Sequence, residues 1–273
     1  MSRKLLPLNP RQMVGLADGN SFYCSCEESM QPWLHGKPII VASNNDGCAI
    51  AMNRFAKKYV KMGDALFQIA DTIRGHGIVT FSSNYELYGD MSNRMHSIWA
   101  SFVPNLEIYS IDEAFCDMTG TSSLYGNPVD FAHRLKDEIH TRLGFTVNIG
   151  ISSNRLLAKT ASDFEKPDKV HTLFPSEMEE KFWPLPIEDL FFVGKSTALR
   201  LRSLGITTIG QLAKSDHAMI LSVFKSHGDT IWNYANGIES TPLSHNDAAS
   251  KGFGNSLTLQ YDVTDAAVAK HVL

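Results

Sequence analysis

The sequence lacks the features that mark secreted, disulfide-bonded and membrane-spanning proteins. Four cysteines in 273 residues are too few for a disulfide framework, and Cys24-x-Cys26 has no Cys or His partners at zinc-like spacing. No apolar run approaches the roughly 20 residues of a membrane span, and residues 1–12 hold no run of signal-peptide length. We therefore expect reduced thiols, no membrane contact and a cytoplasmic location.

Basic residues are not in excess, and the sequence has no low-complexity tract or internal repeat. The 25 Lys and Arg residues against 29 Asp and Glu give a net charge of −4, which excludes a wholly basic nucleic-acid coat but not a local basic segment. What is present is an ordinary globular composition, 43% hydrophobic and 20% charged. At the usual domain size, this length predicts about two compact units.

The apolar patterns along the chain predict an α+β fold followed by an all-α unit. Strands are predicted at residues 13–17, 39–42, 106–109, 114–118 and 145–151, and helices at residues 50–59, 85–102 and 129–143. With residues 22–83 as an insertion, this order is that of a ferredoxin-like split βαβ sheet with helices on one face. Four prolines between residues 167 and 186 indicate a junction, and short helical patterns follow it as far as residue 238.

Three acidic residues lie at the ends of predicted strands. Asp18 follows the first strand, and Asp112 and Glu113 lie between two later strands. Neighbouring strands would bring the three acids to one edge of the sheet. Clustered carboxylates repel one another unless cations bind between them, and hard oxygen ligands select Mg²⁺ or Mn²⁺. The joint placement predicts a two-metal site, although each acid taken alone is better explained as a solvated strand end.

Two lysines and one basic segment accompany the acids. Lys159 lies in a predicted helix after the last strand and Lys57 lies in the insertion, where each is otherwise an ordinary surface group. Residues 191–214 contain no acid but four basic residues, Lys195, Arg200, Arg202 and Lys214. The pattern Val193-Gly194-Lys195-Ser196, then Leu201, then Leu204-Gly205-Ile206-Thr207-Thr208 predicts two short helices around a glycine turn. Backbone amides at such a turn can hold a DNA phosphate, and the alternative is a plain helical hairpin.

Four blocks of the sequence carry a family resemblance. They are Ala17-Asp18-Gly19-Asn20-Ser21-Phe22-Tyr23, Ser43-Asn44-Asn45-Asp46-Gly47-Cys48, Phe81-Ser82-Ser83-Asn84-Tyr85-Glu86-Leu87-Tyr88 and Tyr109-Ser110-Ile111-Asp112-Glu113-Ala114-Phe115-Cys116-Asp117. With these blocks the chain resembles Y-family DNA polymerases, most closely the UmuC type, from about residue 13 to residue 265. The resemblance implies low-fidelity, template-directed translesion DNA synthesis in DNA damage tolerance and the SOS response.

The resemblance also implies a domain division. The domains are an N-terminal extension at 1–12, a palm at 13–21 and 84–170, fingers at 22–83, a helix-hairpin-helix thumb at 171–240, a linker at 241–250 and the truncated start of a little finger at 251–273. The implied partners are primer-template DNA and a deoxynucleoside triphosphate, with a processed UmuD dimer, RecA and the sliding clamp as further candidates.

The family's functional positions transfer residue by residue. Asp18, Asp112 and Glu113 match the catalytic acids, and together with the backbone carbonyl of Gly19 they match the ligands of two Mg²⁺ ions, with Mn²⁺ as a substitute. Tyr23 matches the steric gate that excludes a ribose 2′-hydroxyl. Further nucleotide contacts are implied for Phe22, Arg54, Lys57 and Lys159. DNA contacts are implied for Gly194, Lys195, Ser196, Arg200 and Arg202.

The chain departs from the family pattern in three places, which keeps other functions open. Phe192-Val193-Gly194 stands where Gly-x-Gly is usual, Arg54 stands where many relatives carry Tyr, and the little finger would be missing beyond its first strand. The missing domain leaves open a catalytically weak DNA-binding or competitor protein. A nucleotidyl cyclase is a third alternative, because palm-like sheets with paired carboxylates also serve that reaction.

Overall fold

The computed structural model describes residues 12–43, 47–239, 241, 243, 252, 254, 259 and 261–272. The strands are β1 (Val14–Gly19), β2 (Ile39–Ala42), β3 (Ala49–Met52), β4 (Val79–Ser82), β5 (Leu106–Ile108), β6 (Glu113–Asp117), β7 (Val147–Ser152) and β8 (Val170–Thr172). The helices are α1 (Phe22–Met30), α2 (Ala70–Gly75), α3 (Tyr85–Ala100), α4 (Ser122–Tyr125), α5 (Pro128–Leu143), α6 (Arg155–Ser162), α7 (Met178–Lys181), α8 (Lys195–Ser203), α9 (Ile209–Ala213), α10 (His217–Phe224), α11 (Ser226–Ala235) and α12 (Ala266–Val272). In these ranges no helix is both long and apolar enough to span a bilayer.

β1 is the centre of a five-stranded sheet with the strand order β5-β6-β1-β7-β8. It runs antiparallel to β6 on one side and to β7 on the other, β5 is antiparallel to β6, and β8 is parallel to β7. The first four of these strands have the predicted split βαβ order. β8 was not predicted, because a three-residue strand is too short to show a period of two.

Helices cover both faces of this sheet, so the prediction of helices on one face is wrong. α3 and α5 pack on the face that carries the larger core. α6 packs against β1 and β7 from the other side, where Val14 and Leu16 form a buried cluster with Ala158. This close approach depends on Gly150, because a Cβ atom there would lie 2.1 Å from the carbonyl oxygen of Ala158.

Gly150→Ala is expected to lower the free energy of unfolding by about 3 kcal/mol or more, because the new methyl group would collide with the backbone of α6. The matched control is Gly89→Ala in α3, where a Cβ atom meets nothing within 4 Å and helix propensity predicts a gain of up to about 1 kcal/mol. Urea unfolding of both variants measures the difference. A Gly150→Ala variant as stable as the parent chain would contradict the described packing of α6.

The insertion between β1 and α3 forms a second sheet, of order β3-β2-β4. Alternate residues of β2 face two different cores, since Ile39 and Val41 join the larger core while Ile40 joins a small cluster of the insertion. The helix predicted at residues 50–59 is wrong, because this segment contains most of β3 and a single 3₁₀ turn. Asn53 lies between β3 and this turn. Its side-chain oxygen accepts hydrogen bonds from three backbone N–H groups, and this bonding replaces the hydrogen-bond pattern of a helix.

The chain after β8 is helical, as its pattern predicts, and has its own core. Helices α7 to α11 bury a cluster of apolar side chains that Leu157 and Ala161 of α6 join. The predicted linker at 241–250 and the strand-like start at 254–259 lie almost entirely outside the described residues. The segment predicted as the start of a little finger also contains α12, which no pattern indicated.

Candidate active site

The three predicted acids meet at one end of the five-stranded sheet. Asp18 and Glu113 are opposite each other in the ladder between β1 and β6. Asp112 immediately precedes β6, and its carbonyl oxygen accepts a 2.9 Å hydrogen bond from the backbone N–H of Gly19. The antiparallel register of β1 and β6 therefore places one carboxylate beside the other two.

Burial raises the pKa of both aspartates. Asp18 is 9% exposed, and burial, partly offset by Lys166, raises its pKa to about 6. Burial also raises the pKa of Asp112, against the effect of the Ser110 hydroxyl, whose oxygen lies 2.8 Å from Oδ1 of Asp112. Two acids that are hard to ionise together form a site that a cation would stabilise.

Two lysines lie against these carboxylates. Nζ of Lys166 is 2.5 Å from Oδ2 of Asp18 and 2.8 Å from Oδ1 of Asp163. Nζ of Lys159 is 2.5 Å from Oε1 of Glu113. Although burial opposes it, these carboxylates raise the pKa of each lysine, which keeps both ammonium groups charged.

The donor atoms of the two aspartates fit a hard divalent cation. Carboxylate oxygens are the ligands that Mg²⁺ and Mn²⁺ prefer. In this structure the ammonium group of Lys166 neutralises the charge of Asp18, as a bound cation would. No group of three His, Cys, Asp or Glu side chains among the described residues has the arrangement of a metal site. Glu113 is held by Lys159 instead, so a cation that used all three acids would first displace both lysines.

Asp18 and Asp112, but not Glu113, line a cavity of about 370 Å³. The lining residues are Asp18–Tyr23, Ile50–Met52, Lys57, Met62, Ile111, Asp112 and Lys166. The ring of Tyr23 stacks on Tyr88 with centroids 4.4 Å apart, which fixes its orientation at the cavity wall. Phe22, also predicted to contact a nucleotide, is 3% exposed and packs edge-on against Phe145, so most of its ring belongs to the core.

A second cavity, of about 530 Å³, adjoins the first and contains Arg54. Four residues line both cavities, namely Asn20, Ser21, Lys57 and Lys166. Helix α1 begins at this boundary, where the left-handed φ of 48° at Ser21 turns the chain from the strand into the helix. The backbone N–H groups of the first helical turn and the two lysines make the boundary attractive to an anion.

The lysine that lines the two cavities is Lys166, and not Lys159 as predicted from the sequence. Lys159 was predicted to contact a nucleotide, but it lines neither of these two cavities. Lys166, which sequence reasoning missed, lines both and binds Asp18. The segment around Lys166 is Glu165-Lys166-Pro167-Asp168, which has the composition of a surface turn. The one signal that could have indicated a role is the position of this lysine shortly after the helix that contains Lys159.

The predicted DNA-binding residues lie on and before α8, away from the carboxylates. Gly194 is the N-cap of α8, and Lys195 and Ser196 are exposed in its first turn. Arg200 lies over the ring of Phe224, and Arg202 forms two hydrogen bonds with Glu188. The segment is therefore less positive than its own composition predicted, because Glu188 lies just outside it in sequence.

Comparison with known proteins gives the class of this fold and site. The model of the impB/mucB/samB family matches residues 17–163. DNA polymerase IV of Clostridium acetobutylicum is 42% identical over 229 residues, covering 83% of this chain and 57% of that protein. Protein UmuC of Salmonella typhimurium is 40% identical over 219 residues, covering 78% and 52%. The crystal structure of DinB from Sulfolobus solfataricus superposes with a TM-score of 0.75 at 26% identity, covering 85% of this chain and 69% of that one.

These matches confirm the predicted resemblance to Y-family DNA polymerases, with relatives of the DNA polymerase IV and UmuC types at similar identity. The chain belongs to the impB/mucB/samB family. It spans 57%, 65% and 66% of the length of three DNA polymerase IV relatives.

Proposed function

We propose that this chain carries the catalytic part of a translesion DNA polymerase that adds deoxynucleotides to a primer 3′-hydroxyl. The observation that carries the proposal is the cavity in which Asp18 and Asp112 face Tyr23, Lys57 and Lys166. It combines carboxylates for divalent cations, cations for a triphosphate and an aromatic wall for a sugar in one place. Low fidelity and a role in DNA damage tolerance follow from the family resemblance.

The acids would hold two Mg²⁺ ions, or Mn²⁺ in their place. Asp18 and Asp112 would bind both ions, with the carbonyl of Gly19 as a further ligand and Glu113 at the ion nearer the primer. When bound, such ions activate the attacking oxygen and neutralise the leaving phosphate. Lys159 forms a 2.5 Å ion pair with Glu113, and a cation that used Glu113 would take the place of this lysine.

The nucleotide would lie across the two adjoining cavities. Its triphosphate fits the boundary at the start of α1, where Lys57 and Lys166 converge and backbone N–H groups are available. Its sugar would contact Tyr23, whose ring stacks on Tyr88 and would leave no room for a 2′-hydroxyl. Arg54, in the outer cavity, would contact the distal phosphates.

The five-stranded sheet would be the palm, the insertion the fingers and the helical unit the thumb. Gly194, Lys195 and Ser196, at the start of α8, would bind a DNA phosphate through backbone N–H groups, with Arg200 and Arg202 beside them. UmuD, RecA and the sliding clamp are proposed as partners on family resemblance alone.

Mg²⁺ is expected to raise the thermal unfolding midpoint by a few degrees at pH 7.5 and by less at pH 5. Without the ion, the raised pKa of Asp18 contributes stability that is present below pH 4 and lost as the pH rises through about 6. The ion needs the deprotonated carboxylate, so its stabilising effect should grow over the same interval. The increment should be small and independent of pH in Asp18→Asn, and a parent chain that behaves in this way would contradict the proposed metal site.

Primer extension on undamaged and abasic templates, measured beside DNA affinity with the same chain, tests the proposal. Template-dependent extension in Mg²⁺ is the expected result. The alternative function is a competitor that occupies DNA without synthesis. Tight DNA binding with negligible turnover would favour that alternative, and cyclic nucleotide formation in the absence of DNA would favour a cyclase.

A further inference from the structure

A cavity of about 240 Å³ lies between β6, α6 and the helical unit, apart from the cavity that contains Tyr23. Five aromatic side chains line it, namely Tyr109, Phe115, Phe191, Phe192 and Tyr234. Phe191 and Tyr234 are nearly parallel, with an interplanar angle of 23°, and Phe192 stands edge-on to Tyr234 at 77°. Walls of this kind favour a flat aromatic ligand.

Glu239 lines the cavity, and one of its carboxylate oxygens has no hydrogen-bond partner among the described residues. Its Oε1 atom accepts a 2.7 Å hydrogen bond from the backbone N–H of Thr241. Its Oε2 atom is buried and accepts no hydrogen bond from any described residue. Because an unpaired buried carboxylate oxygen is costly, a rotation of the carboxylate that turns this atom toward the cavity would be favoured by a ligand that donates an N–H group to it.

Two cations line the same cavity and determine the charge of the ligand. Arg155 lies 4.6 Å from the ring centroid of Phe115, and its Nη2 atom is 2.9 Å from Oε1 of Glu107. Lys159 lies 5.5 Å from the ring centroid of Tyr109. A guanidinium has five N–H donors, so Arg155 can bind a phosphate oxygen and keep its ion pair. The two cations disfavour a cationic ligand and favour one with an anionic group.

We propose that this cavity binds an unpaired nucleotide whose base carries an exocyclic amino group. The base lies among the aromatic rings, its amino group donates to Oε2 of Glu239, and its phosphate faces Arg155 and Lys159. The cavity has the volume of about eight bulk water molecules, which admits one base but not a base pair. Cytosine, adenine and guanine meet the requirement for an amino group, whereas thymine does not.

The site is separate from the proposed polymerase site but shares Lys159 with it, since that lysine also pairs with Glu113. Two sources can supply the ligand, a free nucleotide or the unpaired end of a strand. The shared chemistry is an amino-bearing base next to a phosphate.

Calorimetric titration of the full chain in EDTA, with dCMP, TMP and 2-deoxyribose 5-phosphate as probes, tests the proposal. We expect dCMP to bind at least about tenfold more tightly than TMP, and the sugar phosphate to bind more weakly than either. Glu239→Ala should bring dCMP affinity down to that of TMP. Phe192→Gly should weaken both nucleotides by about tenfold, and it should fold well because Phe192 has a left-handed φ of 71° that suits glycine.

Tyr23→Ala separates this site from the cavity that contains the carboxylates, and unfolding midpoints of all variants check that they fold. The proposal would be overturned by equal affinity for dCMP and TMP together with no preference for a dC strand end over a dT strand end. Binding lost in Tyr23→Ala and kept in Glu239→Ala would also overturn it. A single-stranded oligonucleotide ending in dC, compared with one ending in dT, distinguishes the sources. Glu239-dependent preference for the dC end alone assigns the site to strand ends, and the same preference with mononucleotides assigns it to free nucleotides. These results do not depend on primer extension, so failure of either proposal leaves the other testable.

Discussion

Asp112→Asn is expected to lower the rate of primer extension at least about a thousandfold without unfolding the protein. The amide keeps the size of the side chain but removes the charge that would hold the cations. Because burial raises the pKa of Asp112, the neutral amide also removes a charge that folding disfavours, so the unfolding midpoint should stay the same or rise. Single-turnover extension at saturating Mg²⁺ and a thermal melt measure the two effects.

Asp90→Asn is the matched control for this substitution. Asp90 is an exposed acid on α3 that pairs with Arg94 one turn later, an interaction worth only a few tenths of a kcal/mol. Its removal should change the extension rate less than about twofold. An Asp112→Asn enzyme that keeps more than about a tenth of the parent rate would rule out the proposed role of this carboxylate.

Tyr23→Ala is expected to raise the use of ribonucleotides relative to deoxynucleotides by about a hundredfold. The Tyr23 ring lies at the cavity wall against Tyr88, and its loss opens space where a 2′-hydroxyl would otherwise collide. The ratio of kcat/KM for the two sugar types, measured on one template, gives the effect directly.

Tyr23→Phe tests whether the ring or the hydroxyl is responsible. The substitution keeps the stack on Tyr88 and should keep the selectivity within about threefold, because exclusion is a matter of shape. If both variants retain the parent selectivity, Tyr23 is not the gate. A Tyr23→Phe variant as permissive as Tyr23→Ala would assign the discrimination to a hydrogen bond instead.

Local patterns were sufficient where one periodicity dominated a segment. The helix predicted over residues 85–102 is α3, and the strand predicted over 39–42 is β2. The pattern failed over residues 50–59, where Asn53 satisfies backbone groups of β2 and of the turn after β3 at the same time. An apolar period cannot show that a side chain bonds to a neighbouring strand.

Some residues of the candidate site could be predicted from local sequence patterns and others could not. Asp18, Asp112 and Glu113 could be found in the sequence because each is adjacent to a strong strand pattern. Lys166 could not, because its importance comes from a loop after α6 that returns to Asp18, and nothing local to Lys166 records that contact. The neutralisation of Arg202 by Glu188 was missed for the same reason.

By itself, the sequence determined the order of strands and helices, the acids at the strand ends and the family, since these depend on residue type and spacing along the chain. The tertiary structure decided which lysine meets which acid and that helices cover both faces of the sheet through the approach at Gly150. It also decided that five rings line one cavity beside Glu239. The physical reason is distance, because electrostatic and packing contacts join residues that are far apart in sequence.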